Sequence, residues 1–293
     1  MASTPGSVAE AGGETLRAGG KRLRPTLVYL SAPTGMRTAP AVEIAAAAVE
    51  LVHMATLVHD DVLDEAPLRR GHPTAWSTHG EAIAVATGDY LFARAFAELA
   101  ALADPASIRI LSNTSCELAY GEQLQAQQAR DPGVAPEDVL ERCRLKTGRL
   151  FAAACSLGAR HGGLDAEGCA ALERFGEALG LAFQLADDVL DCAGDPTRTG
   201  KALGTDLRDG TTSLPLLLAA RADPVLAEAL RAPVAAADVL PLLARVAATG
   251  ALDQVRDTAE SYARRAEAEL DRATGADTPA LRAILKRAID RDS

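Results

Sequence analysis

Glycine and proline divide this chain into long segments that are rich in alanine and leucine. Each segment is long enough for about five or six helical turns, and several begin with acidic residues, which the helix dipole favours. No β-branched or aromatic stretch alternates with polar residues as a strand requires. We therefore expect an all-α fold and one domain over residues 1–293, because nothing resembles a linker. The segments are 41–64, 81–103, 107–130, 137–160 and 166–192.

The composition excludes several classes of partner. Lys and Arg total 30 against 40 Asp and Glu, which gives a formal net charge of -10. Proteins that bind nucleic acid or anionic membranes need a broad positive surface, so we expect neither partner. The longest apolar runs, such as residues 151–159, are too short for a transmembrane segment, and the N-terminus has no apolar signal core. We therefore expect a soluble, cytoplasmic protein.

Five cysteines are scattered over apolar stretches, and their spacing matches no metal site. An odd number without a pairing pattern is typical of reduced thiols in the cytosol. We expect all five to be reduced and buried.

One pentapeptide, Asp-Asp-Val-Leu-Asp, occurs twice, at residues 60–64 and 187–191. We call these copies the first and second aspartate motifs. On a helix, the first and last aspartates of each copy lie one turn apart on the same face. Such pairs near a helix C-terminus repel each other and oppose the helix dipole. Two copies of this unfavourable arrangement indicate a positive ligand between them.

Mg²⁺ is the ligand that these carboxylates fit, because it is a hard cation that prefers oxygen. It commonly takes one or two carboxylates, several waters and substrate phosphate oxygens. We therefore predict about two or three Mg²⁺ ions, with Mn²⁺ as a substitute, around a diphosphate in a helical cavity. The candidate metal ligands are Asp60, Asp61, Asp64, Asp187, Asp188 and Asp191.

Basic residues suited to a diphosphate stand near the two motifs. Arg binds phosphate in a bidentate manner, and Lys acts as a point charge. Each basic stretch by itself would ordinarily be solvated surface, and a lone histidine in an apolar segment is ordinarily part of the core. Their grouping around two aspartate motifs favours a phosphate site. The candidates are Lys21, Arg24, His53, Arg69, Arg70, Lys146 and Lys201.

These segments together resemble the trans-isoprenyl diphosphate synthases, the polyprenyl synthetase family. The resemblance extends from Gly19 to about Pro215, and it implies a helical bundle of the isoprenoid synthase type with a central active-site cavity. It rests on residues 19–25, 50–64, 69–71, 88–91, 121–125, 146–148, 180–191 and 200–208.

The resemblance also implies a reaction. Enzymes of this family add isopentenyl diphosphate head-to-tail to an allylic diphosphate. The residues expected to hold isopentenyl diphosphate are Lys21, Arg24, His53 and Arg70.

The allylic diphosphate is expected to bind through Mg²⁺ on Asp60, Asp64, Asp187 and Asp191. Its phosphates would also meet Arg69, Lys146 and Lys201, while Thr147 and Gln184 would face the developing allylic cation. The resemblance thus assigns the catalytic roles to Asp60, Asp64, Asp187, Lys146, Thr147, Gln184 and Lys201.

Two further expectations concern assembly and the N-terminus. The family resemblance implies a homodimer. Only about twenty residues precede Lys21, fewer than the family leads us to expect. We therefore expect residues 1–18 to be shortened or poorly ordered.

Product length is expected to depend on the residues beneath the first aspartate motif. Ala55 and Thr56 lie one helical turn before Asp60, and Leu51 lies one turn further down. In the family, bulky aromatic residues at the first two positions stop growth at short products. Both are small here, which favours a medium-to-long product made from farnesyl or geranylgeranyl diphosphate. A geranylgeranyl or farnesyl diphosphate synthase is the alternative.

Two other classes fit the sequence less well. Class I terpene cyclases share the helical fold but lack an isopentenyl site, whereas Lys21, Arg24 and His53 are present here. With only 3% aromatic residues, the chain would also line a cyclisation pocket poorly. A non-catalytic subunit of a heteromeric synthase should have lost aspartate or basic positions, and none is missing.

Overall fold

The apolar segments form α-helices in a computed structural model of the chain, which describes residues 7–194 and 203–289. The helices of the first part are α1 (Ser7–Arg17), α2 (Leu23–Ser31), α3 (Pro40–Leu63), α4 (Ala75–His79), α5 (Glu81–Ala100), α6 (Pro105–Gln128), α7 (Pro136–Cys143), α8 (Arg149–His161) and α9 (Ala166–Ala193). The second part holds α10 (Thr205–Asp209), α11 (Leu214–Ala222), α12 (Pro224–Ala229), α13 (Ala236–Ala248), α14 (Ala251–Leu270) and α15 (Thr278–Ile289). The predicted all-α fold is confirmed.

The helices α3 and α9 begin at recognisable local signals. Pro40 starts α3, where its fixed φ suits the first turn and its missing N–H costs nothing. Asp165 precedes α9, and its side chain accepts a hydrogen bond from the backbone N–H of Gly168 at 2.8 Å. Both helices then run without a break to an aspartate motif.

Helix α8 lies at the centre of the bundle, in contact with α2, α3, α6 and α9. Every residue from Leu150 to Ala159 is buried. Small residues allow the close packing: a Cβ at Gly158 would collide with the carbonyl of Val28 in α2, and one at Gly176 would lie 2.5 Å from the carbonyl oxygen of Phe151. Helices α3 and α9 are therefore both packed against a rigid core helix.

The predicted segment 137–160 is not one regular helix. Between α7 and α8 the backbone forms a π-helical turn, Arg144–Gly148, in which the N–H of Arg149 bonds to the carbonyl of Arg144. Such π-turns occur frequently at functional sites. This one carries Lys146 and Thr147.

A two-residue hairpin, Leu68–Arg69 paired with His72–Pro73, corrects the expectation that the chain has no strand. Arg70 and Gly71 have φ of 54° and 77°, as the two central residues of a type I′ turn require. The strands are too short to show an alternating pattern, so the sequence carried no strand signal here.

The cysteines are all free thiols, as expected, but not all are buried. Cys143, Cys155 and Cys192 are buried, whereas Cys169 is partly exposed and Cys116 is exposed on α6. The expectation of five buried thiols is therefore wrong for these last two, because an apolar helical segment still has an outward face.

Among the described residues, α3 is the helix that is long and apolar enough to cross a membrane by length and composition. Half of the residues in its most apolar window are buried in the bundle, where α3 packs against α2, α5 and α8. A core helix of a folded domain has the same properties, so this is weak support for a transmembrane segment.

Candidate active site

The two aspartate motifs lie at the C-terminal ends of α3 and α9. Asp209, the last residue of α10, lies within the electrostatic range of both motifs. Burial raises the pKa of its carboxyl group, and the charges of Asp64 and Asp191 raise it further. The charge of one aspartate from each motif therefore acts on the carboxyl group of Asp209. The fold thus brings the two motifs, which are distant in sequence, to the same region of the molecule.

The first motif directs two carboxylates into a crowded, acidic environment. Burial raises the pKa of Asp60 to about 6, and Glu122 and Asp64 also raise it, while Lys146 acts in the opposite direction. Burial raises the pKa of Asp64 as well, again with Lys146 opposing and Glu122 adding to the shift. Like charges held this close are stabilised by a cation. Their hard oxygen atoms fit Mg²⁺.

The middle aspartate of each motif is engaged by the protein itself. Asp61 accepts a hydrogen bond from Nε of Arg69 at 2.6 Å. Asp188 accepts one from Nε2 of Gln184 at 2.8 Å. Both aspartates are buried. These bonds fix the side chains of Arg69 and Gln184, so Asp61 and Asp188 each orient a neighbouring side chain.

Asp191 caps the next helix. Its two carboxylate oxygens accept hydrogen bonds from the backbone N–H groups of Thr205 and Asp206, at 2.9 and 3.0 Å. Its backbone carbonyl accepts one from the N–H of Gly204 at 2.8 Å. Asp191 therefore fastens α9 to the start of α10. Asp187, one turn earlier, is partly exposed, and its charge raises the pKa of Asp188.

On the expected allylic side, Lys146 reaches across from the π-turn to α6. Its Nζ lies 2.5 Å from Oε2 of Glu122 and donates a hydrogen bond to Oε1 of Gln125 at 3.1 Å. The hydroxyl of Thr147 donates to Oε1 of Gln184 at 2.8 Å. Three of the predicted residues thus cluster around the motifs. Lys201 lies outside the described residues.

On the expected isopentenyl side, Arg24 lies partly buried beside His53. Its Nη1 lies 3.1 Å from Nε2 of His53, and its guanidinium stacks 4.9 Å from the ring centroid of Phe151. Burial lowers the pKa of Arg24 to about 10, while the charges of Glu50 and Asp60 oppose that shift. Because an arginine can only donate, Nε2 of His53 must be the unprotonated nitrogen.

The hairpin contacts the glycine-rich loop, residues 19–22, next to the expected isopentenyl subsite. The guanidinium of Arg70 donates to the carbonyl of Gly19, and a side chain at Gly20 would collide with it. Lys21 is exposed. Arg22 instead points into the protein, where it bonds to Glu50. The adjacent residues Lys21 and Arg22 of this loop therefore point in different directions, one to solvent and one to Glu50, which the sequence could not show.

The three expected chain-length residues differ in exposure. Ala55 is fully buried, Leu51 is 9% exposed, and Thr56 is partly exposed. The hydroxyl of Thr56 donates to the carbonyl of His53 at 2.8 Å. Thr56 therefore lies on the same stripe of α3 as His53 and Asp60.

Sequence reasoning missed three carboxylates near the site, namely Glu122, Asp206 and Asp209. Burial raises the pKa of Asp206 far above its usual range, and the charges of Asp188 and Asp191 add to that shift. Glu122 and Asp206 lie in two segments that resemble the family, residues 121–125 and 200–208. The resemblance therefore included these residues but assigned no role to them. Asp209 follows directly after the second stretch.

A sequence profile described as "Polyprenyl synthetase" matches residues 6–243 of the chain. The chain belongs to the polyprenyl synthetase family. It is a prenyltransferase, as the resemblance implied.

Three similar proteins illustrate the range of this family. The heptaprenyl diphosphate synthase component 2 of Geobacillus stearothermophilus is 40% identical over 73% of this chain and 67% of its own. The nonaprenyl diphosphate synthase of Mycobacterium tuberculosis is 38% identical over 91% of this chain and 81% of its own. A polyprenyl synthase from Caulobacter crescentus, solved with calcium and isoprenyl diphosphate, superposes with a TM-score of 0.87 and 38% identity. That alignment covers 97% of this chain and 89% of the solved one.

Proposed function

We propose that this protein is an all-trans polyprenyl diphosphate synthase. It would condense isopentenyl diphosphate with an allylic diphosphate, such as farnesyl or geranylgeranyl diphosphate. The observation that carries the proposal is the partly buried Arg24–His53 pair, whose arginine feels the charge of Asp60. A terpene cyclase has one diphosphate to bind, whereas a second basic subsite beside the metal motif suits a reaction of two diphosphates.

The proposed cofactor is Mg²⁺, about two or three ions, with Mn²⁺ as a substitute. Asp60, Asp64 and Asp187 are the proposed ligands, because the family resemblance assigns catalytic roles to these three aspartates. The raised pKa values of Asp60 and Asp64 support a cation there. When bound, Mg²⁺ would neutralise the charge that develops on the leaving diphosphate.

The chain's own cations would complete the allylic subsite. Lys146 lies beside the first motif, where it lowers the pKa of both Asp60 and Asp64. Arg69 donates its Nε hydrogen to Asp61, and its two terminal guanidinium nitrogens would donate to phosphate. Lys201 is included in the proposal from sequence alone.

Two oxygen atoms would stabilise the allylic cation. The Thr147 hydroxyl gives its hydrogen to Gln184, so its own lone pairs stay available. The Gln184 amide is held at both ends, by Thr147 and by Asp188. Dipoles fixed in advance cost no reorganisation during the reaction, which is how preorganised sites accelerate it.

The isopentenyl subsite would comprise Lys21, Arg24, His53 and Arg70, with Arg24 and His53 partly buried. In the condensation, the allylic C–O bond breaks and diphosphate leaves with the electron pair. The double bond of isopentenyl diphosphate then attacks the allylic carbon, and loss of a proton forms the new double bond. The released diphosphate is the proposed acceptor of that proton.

The proposed product is medium to long. Ala55 and Thr56 are small, and relatives named for heptaprenyl and nonaprenyl products support this length. A geranylgeranyl or farnesyl product is the alternative. The proposal includes a homodimer in the cytoplasm, and analytical ultracentrifugation checks the assembly.

Mass spectrometry of the products tests the function. The protein is incubated with Mg²⁺, isopentenyl diphosphate and either farnesyl or geranylgeranyl diphosphate. Products of about 35 carbons or more from either primer support the proposal, and accumulation at about 20 carbons from farnesyl diphosphate favours the alternative. A hydrocarbon made from the allylic diphosphate alone would indicate a cyclase and contradict the proposal.

A further inference from the structure

Two residues of α6 enclose the ammonium group of Lys146. Glu122 lies 2.5 Å from it and Gln125 accepts its hydrogen bond at 3.1 Å. Neither residue belongs to an aspartate motif, and neither has a role in the function proposed above. Both side chains of the Glu122–Lys146 pair are mostly buried, at 23% and 29% exposed. The pair is therefore shielded from solvent more than a surface salt bridge is.

The same pair acts on the first aspartate motif. Lys146 lowers the pKa values of Asp60 and Asp64, and Glu122 raises both. The ammonium group thus lies in the field of carboxylates on two helices, α3 and α6. Glu122 and Gln125 hold it on the α6 side of that space.

The backbone beneath Lys146 is also fixed by α6. A Cβ at Gly121 would lie 2.9 Å from the backbone nitrogen of Lys146 and 3.0 Å from Cβ of Leu145. Glycine at this position lets α6 touch the π-turn directly. Two consecutive residues of α6 therefore contact Lys146: Gly121 packs against its backbone, and Glu122 binds its ammonium group.

We propose that Glu122 and Gln125 are positioning residues that hold the Lys146 ammonium group for the allylic diphosphate. This inference rests on the proposed function. Lysine has a flexible four-carbon stem, and ordering it before the substrate arrives reduces the entropy lost on binding. The carboxylate of Glu122 does not oppose binding, because two Mg²⁺ ions carry more positive charge than the diphosphate ester carries negative charge.

The variant Glu122→Gln tests the proposal, because it keeps the shape and removes the ion pair. We expect KM for the allylic diphosphate to rise about tenfold, the change that the loss of one charge-assisted hydrogen bond produces. KM for isopentenyl diphosphate should change less than about twofold. Glu122→Asp should restore part of the loss. Glu117→Gln is the matched control, since it removes another α6 carboxylate from an ion pair, with Arg149 at 2.7 Å.

A double-mutant cycle with Lys146→Ala separates positioning from other roles. If Glu122 acts through Lys146, Glu122→Gln adds no further loss in the Lys146→Ala background. A further loss there, or an allylic KM unchanged from wild type in folded Glu122→Gln, overturns the proposal.

Calorimetric titration with inorganic diphosphate and Mg²⁺ supplies a readout that needs no turnover. The same cycle is expected in the binding constants, with weaker binding in Glu122→Gln and no added effect in the double variant. Equal binding by wild type and Glu122→Gln overturns the positioning role. Wild type that binds diphosphate but condenses no isopentenyl diphosphate contradicts the proposed function instead.

Discussion

The hydroxyl of Thr147 donates a 2.8 Å hydrogen bond to the amide oxygen of Gln184, which joins the π-turn to α9. The amide nitrogen of Gln184 in turn donates to Asp188 at 2.8 Å. This chain of donors leaves each group with one orientation. It also connects the lysine-bearing turn to the second aspartate motif.

Thr147→Val tests the role of this chain, because valine keeps the shape and removes the hydroxyl. We expect kcat to fall about 10- to 100-fold with little change in either KM, since a dipole is lost in the transition state. Stability should fall by about 1–3 kcal/mol, because the Gln184 oxygen loses its buried donor. Thr147→Ser should keep most activity. A large loss in Thr147→Ser and none in Thr147→Val would be incompatible with this role.

Removal of proposed metal ligands should abolish turnover but not the fold. Asp60→Ala and Asp187→Ala are each expected to lower kcat by several orders of magnitude, and EDTA should abolish wild-type activity. The metal-free Asp60→Ala variant should unfold at a temperature no lower than metal-free wild type, because burial and repulsion already disfavour this carboxylate. Near-normal turnover in either variant would show that the metal ligands are assigned incorrectly.

His53 should make stability depend on pH. Burial and the charge of Arg24 hold its pKa well below the usual 6.5, so the folded protein keeps it neutral. Below pH 6.5 only the unfolded state gains the proton, so stability falls as the pH drops. We expect this residue to cost about 1 kcal/mol between pH 6.5 and 5.5. Urea unfolding of wild type and His53→Gln at several pH values measures the free energy of unfolding. An equal dependence of this free energy on pH in the two proteins would exclude the contribution of His53.

Chain length should respond to bulk beneath the first motif. Thr56→Phe places a ring on the stripe shared with His53 and Asp60, and we expect shorter products with condensation retained. Ala55→Phe is expected to shorten products too, at a cost of about 1–3 kcal/mol in stability, because Ala55 is fully buried. Mass spectrometry gives the product distribution. Unchanged distributions in both folded, active variants would show that these positions do not limit the chain.

Much of the fold was predictable because helical periodicity is a local property. Each end of α3 and of α9 lies within one residue of the end of the predicted segment. The π-turn was not predictable, because its extra residue depends on the close approach of Gly121 in α6 and Gly180 in α9. The hairpin at Leu68–Arg69 was too short to leave a pattern.

The sequence by itself determined the helices, the repeated aspartate motif and the pairing of Asp60 with Asp64 on one helical face. Those properties follow from residue type and from spacings of three or four positions along one helix. The tertiary structure alone decided the directions of three other carboxylates. Asp61 turns to Arg69, Asp191 caps α10, and Glu122 of α6 pairs with Lys146. Each depends on where a second element packs, which no local spacing specifies.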